Sequence, residues 1–264
     1  MSLSDWDGTT YHRVSEPQLA WGRRVLARLD LRGDETVLDA GCGSGRLTAE
    51  LAERLPRGRV IALDQSPSML AVARGELEPR LGERISFVCA DLLDLDLDAA
   101  VDVVFSTATF HWVLDHPRLF AGLHRALRPG GRLLVQCGGG PNLERIHGRA
   151  LRLLGAPEFA GHSLDWSTPW EFAGAGTTRQ RLETAGFVDI DTSVEPAPTV
   201  LGDRDAYREF LATVIMRPFL ARLPDGGLRD RLLDAMCDAG AADDPAWSLD
   251  YWRLNMAARR PISG

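Results

Sequence analysis

Five short apolar runs alternate with segments of helical periodicity between residues 36 and 138, and that alternation leaves few folds open. The runs are 36–40, 59–64 (RVIALD), 85–91 (ISFVCAD), 101–108 (VDVVFSTA) and 132–138 (RLLVQCG). Between them, GRLTAELAERL repeats Leu47, Leu51 and Leu55 on one helical face. QSPSMLAVARGEL opens with Ser66 as a helix cap and Pro67 at the first helical position. PRLFAGLHRAL aligns Leu119, Leu123 and Leu127, and the turn RPGG after it feeds the fifth strand. Strand and helix in alternation predict a parallel sheet covered on both faces. Such a sheet takes its ligand in the crevice beyond the carboxyl ends of the strands. Polar residues gather at those ends: Asp39, Asp64, Asp91, and the group Ser106, Thr107 and Thr109.

The junction after the first strand, VLDAGCGSGRL (37–47), sets Gly41, Gly43 and Gly45 between strand and helix. Glycine is costly to order, and its use here points to positive φ angles or to a ligand lying against the backbone. Asp64 follows Gly45 by nineteen residues, at the end of the second strand. A carboxylate there can accept two hydrogen bonds from a ribose diol, and it also suits a turn ahead of Ser66 and Pro67. Two ligands fit these residues, NAD and S-adenosylmethionine. The order G-C-G-S-G departs from the dinucleotide fingerprint G-x-G-x-x-G. Asp39 would be unhelpful beside a pyrophosphate and useful beside an ammonium group.

Bulk properties remove several classes. The 264 residues suffice for one large domain, with 45% apolar and 25% charged residues. A net charge of −7 with no basic run argues against a nucleic-acid partner. No apolar run approaches a membrane span and the amino-terminal segment has no signal core, so a cytoplasmic location is expected. Cys42, Cys89, Cys137 and Cys237 lie far apart, which argues against a metal site or a disulfide framework. Cys42 reads as a small packing residue of the glycine turn. All 30 Lys+Arg residues are arginine, which excludes a lysine Schiff base and a Walker-type G-K-[ST] loop.

Outside this core, residues 16–30 read as a leading helix with Leu19, Val25, Leu26 and Leu29 on its apolar side. NLERIHGRALRLLG reads as a helix, and DWSTPWEFAGAG as a loop holding Trp166, Trp170 and Phe172. TTRQRLETAGF is a helix closed by Gly186, and FVDIDTSVEP is a strand. A helical stretch from about 203 to 239 precedes a last strand in SLDYWRLNMAARRP. The expected organisation is one domain: an amino-terminal lid and helix (1–30), a cofactor core (31–140), the tryptophan loop, helix and late strand (141–198), a helical cap (199–246) and a final strand (247–264).

The motifs VLDAGCGSG, ALDQSPSMLAVAR, CADLLDL, DVVFSTATFHWVLD and LRPGGRLLV fall in order over residues 34–137. In this they resemble class I S-adenosylmethionine-dependent methyltransferases. The resemblance implies a doubly wound, Rossmann-like sheet of seven strands, the last antiparallel. It implies that Gly41, Gly43 and Gly45 lie against the cofactor, with Asp39 at its methionine amino end, Asp64 at its ribose and Asp91 at its adenine amino group. Leu92 and Met69 would flank the adenine, and Gln65 and Ser106 complete the cofactor-binding set. SDWDGTTYHR, TATFHWVLDH and ATVIMRPFLARLP are similar to the trans-aconitate methyltransferase group, which esterifies small carboxylic acids. That implies a small-molecule acceptor.

His111, just past the fourth strand, is the candidate base should the acceptor need one. Tyr11, Trp112, Trp170 and Arg217 are the candidate acceptor contacts, Arg217 as a bidentate partner for a carboxylate. Residues 1 to 15, with Trp6, Tyr11 and His12, and the late helices, with Phe210, Ile215 and Phe219, are expected to act as a mobile lid. The competing classes are a nicotinamide oxidoreductase in the same crevice and a non-catalytic module that keeps the cofactor fold.

Overall fold

A computed structural model describes residues 15–159, 167–224 and 226–262. They divide into two compact units, one within 1–140, 170–195 and 253–264, the other within 141–169 and 196–252.

The first unit is built on a seven-stranded sheet of order β3-β2-β1-β4-β5-β9-β6. Its strands are β1 (Thr36–Ala40), β2 (Arg59–Asp64), β3 (Ile85–Cys89), β4 (Val101–Thr107), β5 (Leu127–Gly138), β6 (Val188–Pro196) and β9 (Trp252–Arg259). The first five run parallel, and β9 runs antiparallel against β5. The helices are α1 (Glu16–Ala27), α2 (Arg46–Glu53), α3 (Pro67–Leu81), α4 (His116–Ala126) and α6 (Ala175–Thr184).

The period of two along each strand sorts the core into two layers. Val37, Val60, Ala62, Val103, Phe105 and Leu134 pack with Val25, Leu26 and Leu29 of α1 and its continuation, Leu51 of α2 and Leu77 of α3. Leu38, Leu63, Val104, Leu133 and Val135 face the other way, onto Leu119, Phe120 and Leu123 of α4 and Leu182 of α6. Burial on both faces is why these strands read as continuous apolar runs.

The expected first and second strands match to the residue, while the third and fourth end at Cys89 and Thr107, and α1 ends at Ala27. The turn expected at RPGG does not end the strand pairing. Leu127 pairs with Val101 and Arg132 with Val103, so the intervening residues bulge out of β5. Arg128 holds that bulge through an ion pair of 2.7 Å with Asp102. A bulge lets extra residues leave the ladder without breaking it.

The second unit contains α5 (Glu144–Leu154), β7 (Thr199–Val200), α7 (Arg204–Phe210), α8 (Arg217–Leu220), α9 (Gly227–Ala241) and β8 (Ser248–Leu249). The helical stretch expected over 203–239 is broken. A wide π-type turn spans Leu211–Ile215, and Pro218, which lacks a backbone N–H, sits in the first turn of a new helix. The single late strand expected from Ser248 onward is also divided: β8 pairs with β7, and β9 begins at Trp252. Arg149 grips Asp243 at 2.6 and 3.1 Å and ties α5 to the segment before β8. Tyr207, Phe210, Phe219, Met236 and Cys237 are its buried core. No described helix is long and apolar enough to cross a membrane.

Candidate active site

The glycine loop joins β1 to α2, and its three glycines have φ angles of +85°, +55° and +85°. Their reasons differ. A Cβ on Gly41 would come within 2.2 Å of Thr109, and one on Gly45 within 2.9 Å of Leu77 and 3.0 Å of Ala73. Those two positions are glycine because the protein itself fills the space. At Gly43 a Cβ would meet nothing within 4 Å among the described residues, so the backbone there borders open volume. The loop is anchored by Gly41 and Cys42 N–H groups, both donating to the Leu63 carbonyl, at 2.8 and 2.9 Å. Cys42 is buried in this turn, and burial pushes its thiol well above the usual range, as suits a packing residue.

Asp64 closes the loop from β2. Its Oδ2 accepts from Gly43 N–H at 2.9 Å and its Oδ1 from Ser66 N–H at 2.9 Å. The carboxylate is half-buried, and the Gln65 backbone N–H bonds it as well. Asp39 is 3% exposed and accepts from Thr48 Oγ1 at 2.7 Å. Burial, reinforced by the charge of Asp64, pushes the Asp39 carboxyl up to about 7. A cation beside it would reverse that shift.

Ser66 accepts from Met69 N–H at 3.3 Å and caps α3, which sets the buried Met69 one turn from Asp64. Gln65 is exposed. Asp91 accepts from Leu93 N–H at 2.8 Å and starts a short 3-10 turn, leaving its carboxylate exposed and Leu92 buried behind it. Ser106, also expected in the cofactor set, is tied to the sheet itself. It is fully buried and donates to the Ala40 carbonyl at 2.5 Å, pinning β4 to β1 inside the sheet.

Beyond β4, a 3-10 turn (Phe110–Trp112) carries His111. Its Nδ1 accepts from Gly138 N–H at 3.2 Å. A backbone N–H can only donate, so Nδ1 is the acceptor and Nε2 carries the ring proton. His111 lies 5.2 Å from Trp112 and 5.6 Å from Phe172, ring centre to ring centre. Trp170 stacks on Phe172 at 5.7 Å and meets Trp112 edge-on at 6.2 Å. Two segments distant in sequence, 111–112 and 170–172, therefore form one aromatic cluster.

A brace that sequence reasoning missed holds this cluster. Glu171 accepts from Arg181 at 2.9 Å, Arg181 donates to His116 Nδ1 at 2.9 Å, and His116 Nε2 donates to the Phe110 carbonyl at 3.0 Å. His116 is fully buried, and burial holds its imidazole below the usual range, so it stays neutral. The Glu171 N–H donates in turn to the His111 carbonyl at 2.8 Å. Arg217 is half-buried at the start of α8 in the second unit. Tyr11, Trp166 and all of the lid expected over residues 1 to 15 except Ser15 lie outside the described residues. Among the described residues no cluster of potential metal ligands occurs.

Residues 37–131 match a methyltransferase-domain family. The trans-aconitate 2-methyltransferase of Deinococcus radiodurans is 32% identical over 264 residues, covering 97% of this chain and 98% of that protein. The chain belongs to the class I S-adenosylmethionine-dependent methyltransferases. An uncharacterized methyltransferase of Schizosaccharomyces pombe is 30% identical over 97% of this methyltransferase and 98% of its own length. Phosphoethanolamine N-methyltransferase 2 of Haemonchus contortus, solved with phosphomonomethylethanolamine and S-adenosylhomocysteine, shares the fold. It gives a TM-score of 0.63 at 19% identity, over 96% of this chain and 57% of that one. The cofactor of this methyltransferase is S-adenosylmethionine, and the residues present fit it: open volume at Gly43, and a buried carboxyl at Asp39 that a cation would ionise.

Proposed function

We propose that this methyltransferase esterifies a carboxylate of a small organic acid, the class to which trans-aconitate belongs. The observation that carries the reading is the Gly138 to His111 hydrogen bond. With Nδ1 accepting from the Gly138 amide, His111 does not offer that lone pair to a substrate proton. A phenol, amine or carbon acid needs a base within reach, whereas an ionised carboxylate does not. Relatives named trans-aconitate 2-methyltransferase at 31–32% identity support the same class.

S-adenosylmethionine would supply, when bound, a sulfonium methyl that a carboxylate oxygen attacks in line, the O–CH3 bond forming as the S–CH3 bond breaks and S-adenosylhomocysteine leaves. The chain's own contribution is positioning and exclusion of water. Asp39 pairs with the ammonium of the methionine part, Asp64 and Gln65 take the ribose, and Asp91 takes the adenine amino group between Met69 and Leu92. Gly43 gives that ligand its backbone contact. His111 stands beside the acceptor with Trp112, Trp170 and Phe172, which provide a water-poor wall.

The test is transfer of labelled methyl to trans-aconitate and to other small di- and tricarboxylic acids. The expected product gains one methyl, loses it in mild alkali, and forms with a kcat that is flat from pH 6 to pH 9. An alkali-stable product, or a kcat rising roughly tenfold per pH unit, would overturn the ester reading.

Asp39 gives a second expectation. Its carboxyl must lose a proton to meet the ligand ammonium, so below about pH 7 cofactor binding is expected to release a proton. Affinity for S-adenosylhomocysteine should then fall by up to about tenfold per unit as pH drops from 7 to 5.5. Asp39→Asn should bind more weakly at pH 7.5 and lose this slope. Equal slopes in both proteins, measured calorimetrically in buffers of different ionisation enthalpy, would remove Asp39 from the ammonium site.

A further inference from the structure

We propose that Arg181 is a positioning residue for methyl transfer, closing a circuit of hydrogen bonds that fixes the aromatic wall at the acceptor; the assignment rests on the acid reading above. The circuit starts and ends on neighbouring carbonyls of the 3-10 turn after β4. From the His111 carbonyl it passes to the Glu171 N–H at 2.8 Å, and from the Glu171 carboxylate to Arg181 Nη2 at 2.9 Å. Arg181 Nη1 then reaches His116 Nδ1 at 2.9 Å, and His116 Nε2 reaches the Phe110 carbonyl at 3.0 Å. One path between the two segments runs through the main chain and the other through three side chains.

Each member has one chemical role. A guanidinium only donates, so Glu171 and His116 Nδ1 accept from it, and His116 carries its proton on Nε2 for the Phe110 carbonyl. His116 is fully buried, and both of its ring nitrogens are used. Arg181 spans two acceptors because its planar head offers two terminal nitrogens. A lysine, with one nitrogen, does not reproduce that span.

The circuit holds Glu171 by its main chain and its side chain together. The residues on either side of it, Trp170 and Phe172, stack on each other at 5.7 Å and meet Trp112 at 6.2 Å and His111 at 5.6 Å. Fixing Glu171 at two points therefore fixes both aromatic neighbours. Arg181 stands on α6, which packs on the sheet through the buried Leu182, so the wall is anchored to the core and not only to its own segment. The Arg181 and Glu171 side chains are 25% and 36% exposed, so their ion pair adds little to folding. Its effect on geometry is larger, because a misplacement of about 1 Å costs a transfer reaction on the order of a hundredfold.

Arg181→Met and Glu171→Ala open the circuit at different members and test the assignment, with trans-aconitate as acceptor. In Arg181→Met, kcat is expected to fall by about tenfold or more, while S-adenosylhomocysteine affinity stays within about threefold of the parent. Glu171→Ala should match it, and covers the case in which Arg181→Met does not fold. The double variant should be no slower than either single one, because one break opens the whole circuit. Glu171→Gln keeps an acceptor oxygen for Arg181 and should restore most of the rate. Hydrogen exchange gives a readout that needs no acceptor: the Glu171 N–H should exchange about tenfold faster or more in Arg181→Met, with β1 unchanged. Unchanged exchange, losses that add in the double variant, or a kcat within about threefold of the parent in a folded single variant would overturn the role of Arg181 and leave the acid reading standing. Wild-type protein that esterifies no acid would overturn that reading, and the role of Arg181 with it.

Discussion

Replacing Gly43 by asparagine is expected to weaken S-adenosylmethionine binding by about 2–3 kcal/mol, roughly thirty- to more than a hundredfold, while leaving the melting temperature nearly unchanged. Asparagine is chosen because it tolerates the left-handed conformation that φ of +55° requires. Among the described residues nothing lies within 4 Å of the new Cβ, so the substitution adds bulk on the open side of the loop. Gly41→Ala should behave in the opposite way. Its methyl would collide with Thr109, so stability should drop by about 1–3 kcal/mol and the melting temperature with it. Calorimetric titration and thermal melting of both variants separate the two glycines. An asparagine variant that binds like the parent would mean that the open volume at Gly43 is not the cofactor's.

Asp64→Ala is expected to cost roughly 1.5–3 kcal/mol of cofactor affinity, the scale of hydrogen bonds to a charged group. The same substitution orphans the Gly43 and Ser66 N–H groups, so about 1–2 kcal/mol of folding stability should go as well. Both losses are needed for the ribose reading. A variant that is less stable but binds normally would leave Asp64 with its turn role alone.

The sequence carried a great deal about the sheet and little about its wiring. Strands β1 and β2 were legible to the residue because burial on both faces demands unbroken apolar runs with turn signals at each end. Gly41, Gly43 and Gly45 were legible as a group, since only a strand-to-helix turn spends three glycines so closely. Their separate reasons were not, because Thr109 and Leu77 reach the loop only in three dimensions. The bulge at RPGG was hidden because a tight turn and a bulge use the same residues. Ser106 looked like a crevice residue because position along a strand says little about which polar groups the next strand will claim. The protonation form of His111 depends on an amide 27 residues away, and the brace through His116 and Arg181 spans 65. No local pattern records such pairings.

The place of β9 in the sheet has a consequence for how the protein is made. It follows every other described strand in sequence, at Trp252–Arg259, yet it stands between β5 and β6, which precede it in the chain. A nascent chain that has not yet released residue 252 therefore has two unsatisfied strand edges facing one empty slot. Those edges are ready templates for pairing with another chain. The segment RLNMAAR is short and mostly buried, and it completes the barrier to such pairing. Insertion of this one strand thus closes both edges in a single pairing step.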